Sequence, residues 1–167
     1  MKRSFLLLLV TALACALAAC DTSSATNTPV RPAPATFAPG PTPLAADVQI
    51  GYDVSGGIAG IRNALMIEPD GTTIVVSRGK PDKTVQLSAA EMNSLRGLAS
   101  AANFFTLEDR YGLGAVPDDI VRSVTLRQNG RAKTVKTSDS SEDLIPPPLA
   151  ELIRALQTIL DSQLASP

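Results

Sequence analysis

The chain has 167 residues, with 15 Lys and Arg against 16 Asp and Glu, no His, no Trp and two Cys. Without a basic excess it lacks the electrostatic footprint that tracks a phosphate backbone, so nucleic acid is not an expected partner. The missing histidine removes the usual general base, the commonest zinc ligand and the middle member of a Ser-His-Asp triad. What stays open is a binding protein or an unusual carboxylate enzyme. The favoured expectation is a binding protein that is not an enzyme, with no catalytic residue, no metal site and no small-molecule cofactor.

Sixteen of the first 20 residues are hydrophobic, so the overall 44% overstates the apolar content of the rest. Lys2 and Arg3, the apolar run Phe5 to Leu17 and the small residues Ala18-Ala19 have the layout of a secretory signal. The run is shorter than the roughly 20 apolar residues that span a bilayer. Leu17-Ala18-Ala19-Cys20 resembles a bacterial lipobox, with Cys20 as the residue that receives lipid and polar Asp21-Thr22-Ser23-Ser24 directly after it. Cys15 is the weaker anchor, because Ala12 stands three residues upstream in place of a branched aliphatic. On this reading 1–19 is a lipoprotein signal peptide, and the mature chain keeps 13 basic and 16 acidic residues, a net charge of −3. Lipid on Cys20 holds the protein on the extracytoplasmic side of the cell membrane, since two acyl chains anchor stably where one is marginal. No Cys follows Cys20, which excludes a disulfide framework or a thiol nucleophile beyond it.

Residues 20–46 carry the lipidated Cys and a Pro/Ala/Thr-rich stretch containing six of the 13 prolines. Such a composition cannot bury a core and is expected to be a disordered tether. Its 26 residues after Cys20 span up to about 80 Å when extended.

Residues 47–167 are the expected folded domain. Val48, Ile50, Tyr52 and Val54 alternate with polar or small residues, the period of a half-buried strand. Ile61, Asn63, Leu65 and Ile67 repeat the pattern, so the two strands form a hairpin around Ser55-Gly56-Gly57-Ile58-Ala59-Gly60. After the turn Glu68-Pro69-Asp70-Gly71 comes a third strand, Thr73 to Arg78, with Ile74 and Val76 expected inward. A short extended stretch around Thr84 to Leu87 precedes a helix that opens on the capping box Ser88-Ala89-Ala90-Glu91 and carries the stripe Met92, Leu95, Leu98, Ala99 and Ala102. Phe104-Phe105 follow, then a segment from Glu108 to Asp118 read as a loop. Asn129-Gly130 predicts a tight hairpin with Val124 opposite Val135 and Leu126 opposite Lys133. Pro146-Pro147-Pro148 starts a final helix with Leu149, Leu152, Ile153, Leu156, Ile159, Leu160 and Leu164 on one stripe. The sum is an α+β domain, an antiparallel sheet of four to five strands packed on two helices.

Few residues suggest chemistry. The glycine cluster has the order Gly-Gly-x-x-Gly between two strands, not the phosphate-loop order between strand and helix. It reads equally as a projecting hairpin loop and as a contact surface with Ile58 as an apolar knob. The acidic pairs Glu108-Asp109, Asp118-Asp119 and Glu142-Asp143 lack calcium-loop spacing and read as solvated loop charge. Arg122, Arg127, Arg131, Lys133 and Lys136 read as a solvated sheet face. Phe104 and Phe105 read as a cap on the core, with a partner contact as the secondary role.

The run from Ile50 through Ser55-Gly56-Gly57-Ile58-Ala59-Gly60-Ile61, the helix ending in Ala102-Asn103-Phe104-Phe105-Thr106-Leu107, Asp119 ahead of Val124-Thr125-Leu126, then Lys133-Thr134-Val135 and a proline-led leucine-rich helix together resemble the emfourin family. Its members are small bacterial protein inhibitors of protealysin, a thermolysin-like zinc metallopeptidase. The resemblance covers about Val48 to Leu160 and is most specific in Ser-Gly-Gly-x-Ala-Gly-Ile and Phe-Phe-x-Leu. The lipid anchor and proline-rich stalk are departures from emfourin. What the resemblance implies is a non-enzymatic inhibitor whose partner is a thermolysin-like metallopeptidase, met through Ser55 to Gly60 with Phe104 and Phe105 as secondary contacts. Such peptidases prefer a bulky apolar side chain just past the scissile bond. A lipoprotein binding module of the cell envelope that inhibits nothing is the alternative.

Overall fold

The computed structural model describes residues 44–112 and 116–166. Cys20 and the expected signal peptide lie outside the described residues, as does the expected tether up to residue 43.

The sheet is built around two long neighbours. β1 (Gln49–Gly56) pairs antiparallel with β2 (Ile61–Ile67) on one side and β6 (Ile120–Gln128) on the other. β3 (Thr72–Ser77) and β4 (Lys83–Gln86) extend the sheet beyond β2. β7 (Arg131–Ser138) and β5 (Arg110–Tyr111) extend it beyond β6. The order is β4-β3-β2-β1-β6-β7-β5, seven strands in place of the expected four to five. Only β5 runs parallel to its neighbour, β7. The difference lies in β4, which falls on the short extended stretch expected around Thr84 to Leu87 but not counted as a full strand, and in β5, whose two residues are too few for a period-2 pattern to emerge from sequence. β5 sits inside the segment read as a loop. It is held where the Lys136 amide donates to the Asp109 carbonyl at 2.9 Å and the Asp109 carboxylate pairs with Lys133.

Register fixes which side chains meet. Tyr52 stands between Leu65 and Val124, and Ile50 between Ile67 and Leu126, so their side chains share one buried face. Val124 opposite Val135 and Leu126 opposite Lys133 follow from the two-residue turn, in which Asn129 and Gly130 have φ of 51° and 72°. In β3 the inward residues are Thr73 and Val75, not Ile74 and Val76. Leu65 pairs with Val75 and Ile67 with Thr73, and that register overrides local hydrophobicity. Thr73 is accommodated because its hydroxyl donates to the Gly71 carbonyl at 3.1 Å.

α1 (Ala89–Ala101) opens on the full capping box, with the Ser88 and Glu91 side chains each accepting from the other residue's backbone amide. It buries Met92, Leu95 and Ala99. α2 (Pro147–Ala165) begins at proline and buries Leu149, Leu152, Ile153, Leu156 and Leu160. These side chains and the inner-face residues of the sheet belong to one hydrophobic cluster. Arg96 on α1 ties down the start of the domain: its Nη2 donates to the Ala46 carbonyl at 3.0 Å and the Pro69 carbonyl at 2.8 Å.

The basic residues of the last hairpin are not one solvated face. Arg122 is ion-paired with Asp139 and Lys133 with Asp109, and Arg131 lies 4.9 Å over the Phe105 ring. Alternation along the strands separates these three from Arg127 and Lys136, which share the other face.

Candidate functional site

The β1–β2 connection is hydrogen-bonded at its base and apolar at its tip. Gly60 donates its amide to the Gly57 carbonyl at 2.9 Å, closing a turn with Ile58 and Ala59 at its centre. The Gly60 carbonyl in turn accepts from Arg78 Nη1 at 2.9 Å, which fastens the loop to the end of β3. Gly57 and Gly60 have φ of 69° and 59°, a region that L side chains enter at a cost. Gly56 is the most constrained: at φ 113° a β-carbon there would lie 2.1 Å from the Asp119 carbonyl oxygen. Ser55 remains within the ladder, opposite Arg62 and Val121. Ile58 is 95% exposed, so the apolar side chain meets almost nothing of its own protein.

Other segments reach the same end of the sheet. β6 begins there at Ile120, opposite Gly56, and β7 ends there at Ser138, opposite Val121. Two further large apolar side chains stand exposed on the adjoining segments, Val116 at 51% before β6 and Leu144 at 63% in the short 3₁₀ helix Asp139–Leu144. Asp119 joins the segments. Its carbonyl accepts from the Gly57 amide at 3.4 Å, and its Oδ1 from the Ile120 amide at 2.9 Å. Its Oδ2 accepts from both the amide and the hydroxyl of Ser140. The Ser140 hydroxyl bond is the main reason that the Asp119 carboxyl is held below the usual carboxylate range.

Next to this end an open cleft of about 390 Å³ runs between α2 and the end of β7, with Arg122, Asp139, Glu142, Arg154 and Gln157 among its walls. Beneath it the Tyr52 hydroxyl donates to Gln157 Oε1 at 2.7 Å. Burial pushes the Tyr52 phenol up to about 12, against the opposing pull of Arg122. Among the described residues no group of three or more His, Cys, Asp or Glu side chains is placed to hold a metal ion.

Phe104 and Phe105 do not join Ile58. Phe104 is 1% exposed in the core, and Phe105 meets its edge at a centroid distance of 6.4 Å. Arg131, which covers Phe105, pairs with Gln128 just past the Gln49–Arg127 pair, whereas Ile58 lies past the Gly56–Ile120 pair. The two candidates thus sit at opposite ends of β1, about 23 Å apart along the strand.

Sequence reasoning singled out Ile58 and missed Val116, Leu144 and Asp119. The first two are lone apolar residues in polar segments, and only the strand register brings their segments to one end. Asp119 was visible as half of an acidic pair, but its partners Gly57 and Ser140 are distant in sequence. No family model matches this chain, and no curated protein matches it.

Proposed function

We propose that this protein is a lipid-anchored, extracytoplasmic bacterial protein that inhibits a thermolysin-like zinc metallopeptidase without being an enzyme itself. Ile58 is the side chain that enters the peptidase's apolar pocket. The observation that carries this reading is the 95% exposure of Ile58 on a turn fastened by Asp119 at one side and Arg78 at the other. A large apolar side chain held in water by a rigid loop has an unfavourable hydration that a partner's pocket relieves. Rigidity adds to affinity because little loop entropy is lost on docking. On this reading α1 and α2 cover the inner face of the sheet and leave the loop end free, which the shared cluster of helix and strand side chains supports.

Inhibition of thermolysin by the full chain in detergent is the test. Stoichiometric inhibition is expected, and Ile58→Asp is expected to weaken it at least about tenfold with an unchanged circular dichroism spectrum, as for an interface hot spot. Unchanged inhibition by that variant would eliminate Ile58 as the anchor. Absence of inhibition at micromolar concentration against several such peptidases would favour an envelope binding module.

A further inference from the structure

Alternation along β1 turns Ile50, Tyr52 and Val54 into the hydrophobic cluster and Gly51 to the opposite face of the sheet. There Gly51 stands directly between Met66 of β2 and Thr125 of β6, with the Gln49–Arg127 pair two residues back along the ladder. These five residues line a half-open hollow of about 160 Å³. A cavity of about 150 Å³ accepts one benzene ring.

Gly51 is the unexpected member. It does not have the positive φ that would require glycine. A β-carbon there would meet nothing nearer than the Thr125 β-carbon at 3.5 Å, an ordinary contact, so the fold itself has room for a side chain. Glycine inside a central strand weakens it, and one that the strand does not need marks a place where another group approaches closely.

The walls suit an aromatic ring. Gly51 gives a flat backbone floor, the 49% exposed Met66 brings a thioether that contacts aromatic edges favourably, and Arg127 brings a guanidinium that stacks on a ring. The chain has four Phe and two Tyr. Tyr52 and Phe104 are in the core, Phe105 lies under Arg131, and the Tyr111 hydroxyl accepts from the Glu108 amide at 3.2 Å. Phe5 falls in the expected signal peptide, which leaves Phe37.

We infer that Phe37 of the proline-rich stretch docks over Gly51 and straps the entering chain to the outer face of the sheet. The chain enters β1 at Gln49, itself a wall of the hollow. Leu44 packs on the helix-side cluster, so the strap rounds the end of the sheet. The seven residues from Phe37 to Leu44 reach about 22 Å when extended, against about 10 Å between packed layers. A single ring suffices, because a short covalent link gives an effective concentration on the order of millimolar. The inference does not depend on the peptidase reading.

The chain contains no Trp, so Phe37→Trp places a single indole at the occupant. In the full chain in detergent, acrylamide quenching of that indole is expected to be about threefold weaker than in the urea-unfolded chain, as for a ring taken out of water. Gly51→Val fills the hollow with a residue that suits a strand, and is expected to return quenching to the unfolded level with an unchanged circular dichroism spectrum. Should Gly51→Val disturb that spectrum, Met66→Ser, at an exposed position, supplies the comparison. Quenching as free as in urea before either change overturns the inference. Protection that survives both changes also overturns it, since the indole then lies in the micelle or elsewhere on the domain. Protection lost on dilution overturns it too, by making a second copy the occupant.

Discussion

Ser88 and Glu91 illustrate how much a single residue pair decides. The Glu91 carboxylate accepts from both the hydroxyl and the amide of Ser88, while the Glu91 amide donates to the Ser88 hydroxyl. These bonds, the Ser88 hydroxyl first, hold the Glu91 carboxyl below its usual range. A depressed folded-state pKa gives stability that is present above the unfolded value of about 4.3. That stability is lost as pH falls through the folded value. Glu91→Gln is therefore expected to lower the thermal midpoint at pH 7 and to lose that deficit as the melts are repeated toward pH 3. A deficit that persists at low pH would mean the cap acts through shape and not through charge.

At the scale of elements, the β6–β7 hairpin separates backbone strain from packing. Gly130 has φ of 72°, and a β-carbon there would meet no atom within 4 Å. Gly130→Ala should cost about 1 kcal/mol through conformation alone, read as a lower urea midpoint at unchanged slope. The same hairpin was legible in sequence because Asn-Gly specifies both its turn and its register. β1, β2 and both helices were legible for a related reason, since their apolar periods are long and uninterrupted. β3 was assigned the wrong inner face. Thr73 and Ile74 compete for the interior, and pairing with Ile67 places the less apolar of the two inside. β5 was missed because two residues hold no pattern and its place depends on β7. The site divides in the same way. Exposure of Ile58 follows from its glycine neighbours, whereas the joining role of Asp119 depends on contacts 21 residues ahead, at Ser140, and back at Gly57.

The whole molecule depends on one core. Leu156 on α2 is fully buried in the cluster that also contains Tyr52, Leu65 and Val124 from the sheet. Leu156→Ala is expected to cost 2–5 kcal/mol, roughly the range for buried leucine truncation. That is a large part of a typical stability of about 5–15 kcal/mol. Calorimetry should show one transition at a lower midpoint, and a second, separate transition would mean that helix and sheet melt independently.

The chain enters this domain through Ala46, clamped by Arg96, and runs directly into β1, whose far end carries the Ile58 turn. Under the proposed function, the anchor side and the contact tip lie at the two ends of one strand. On the proposed anchoring, a pull between a tethered N-terminus and a captured partner would run along the axis of β1, between its ladders to β2 and β6. Because both points of attachment flank β1 on the same covalent segment, the load would pass along its own backbone, and the hydrogen bonds to β2 and β6 would not have to resist it. In mechanical terms β1 would then be a tie-bar through the middle of the sheet, and a partner at its tip could be held against drag without the rest of the fold being pulled apart.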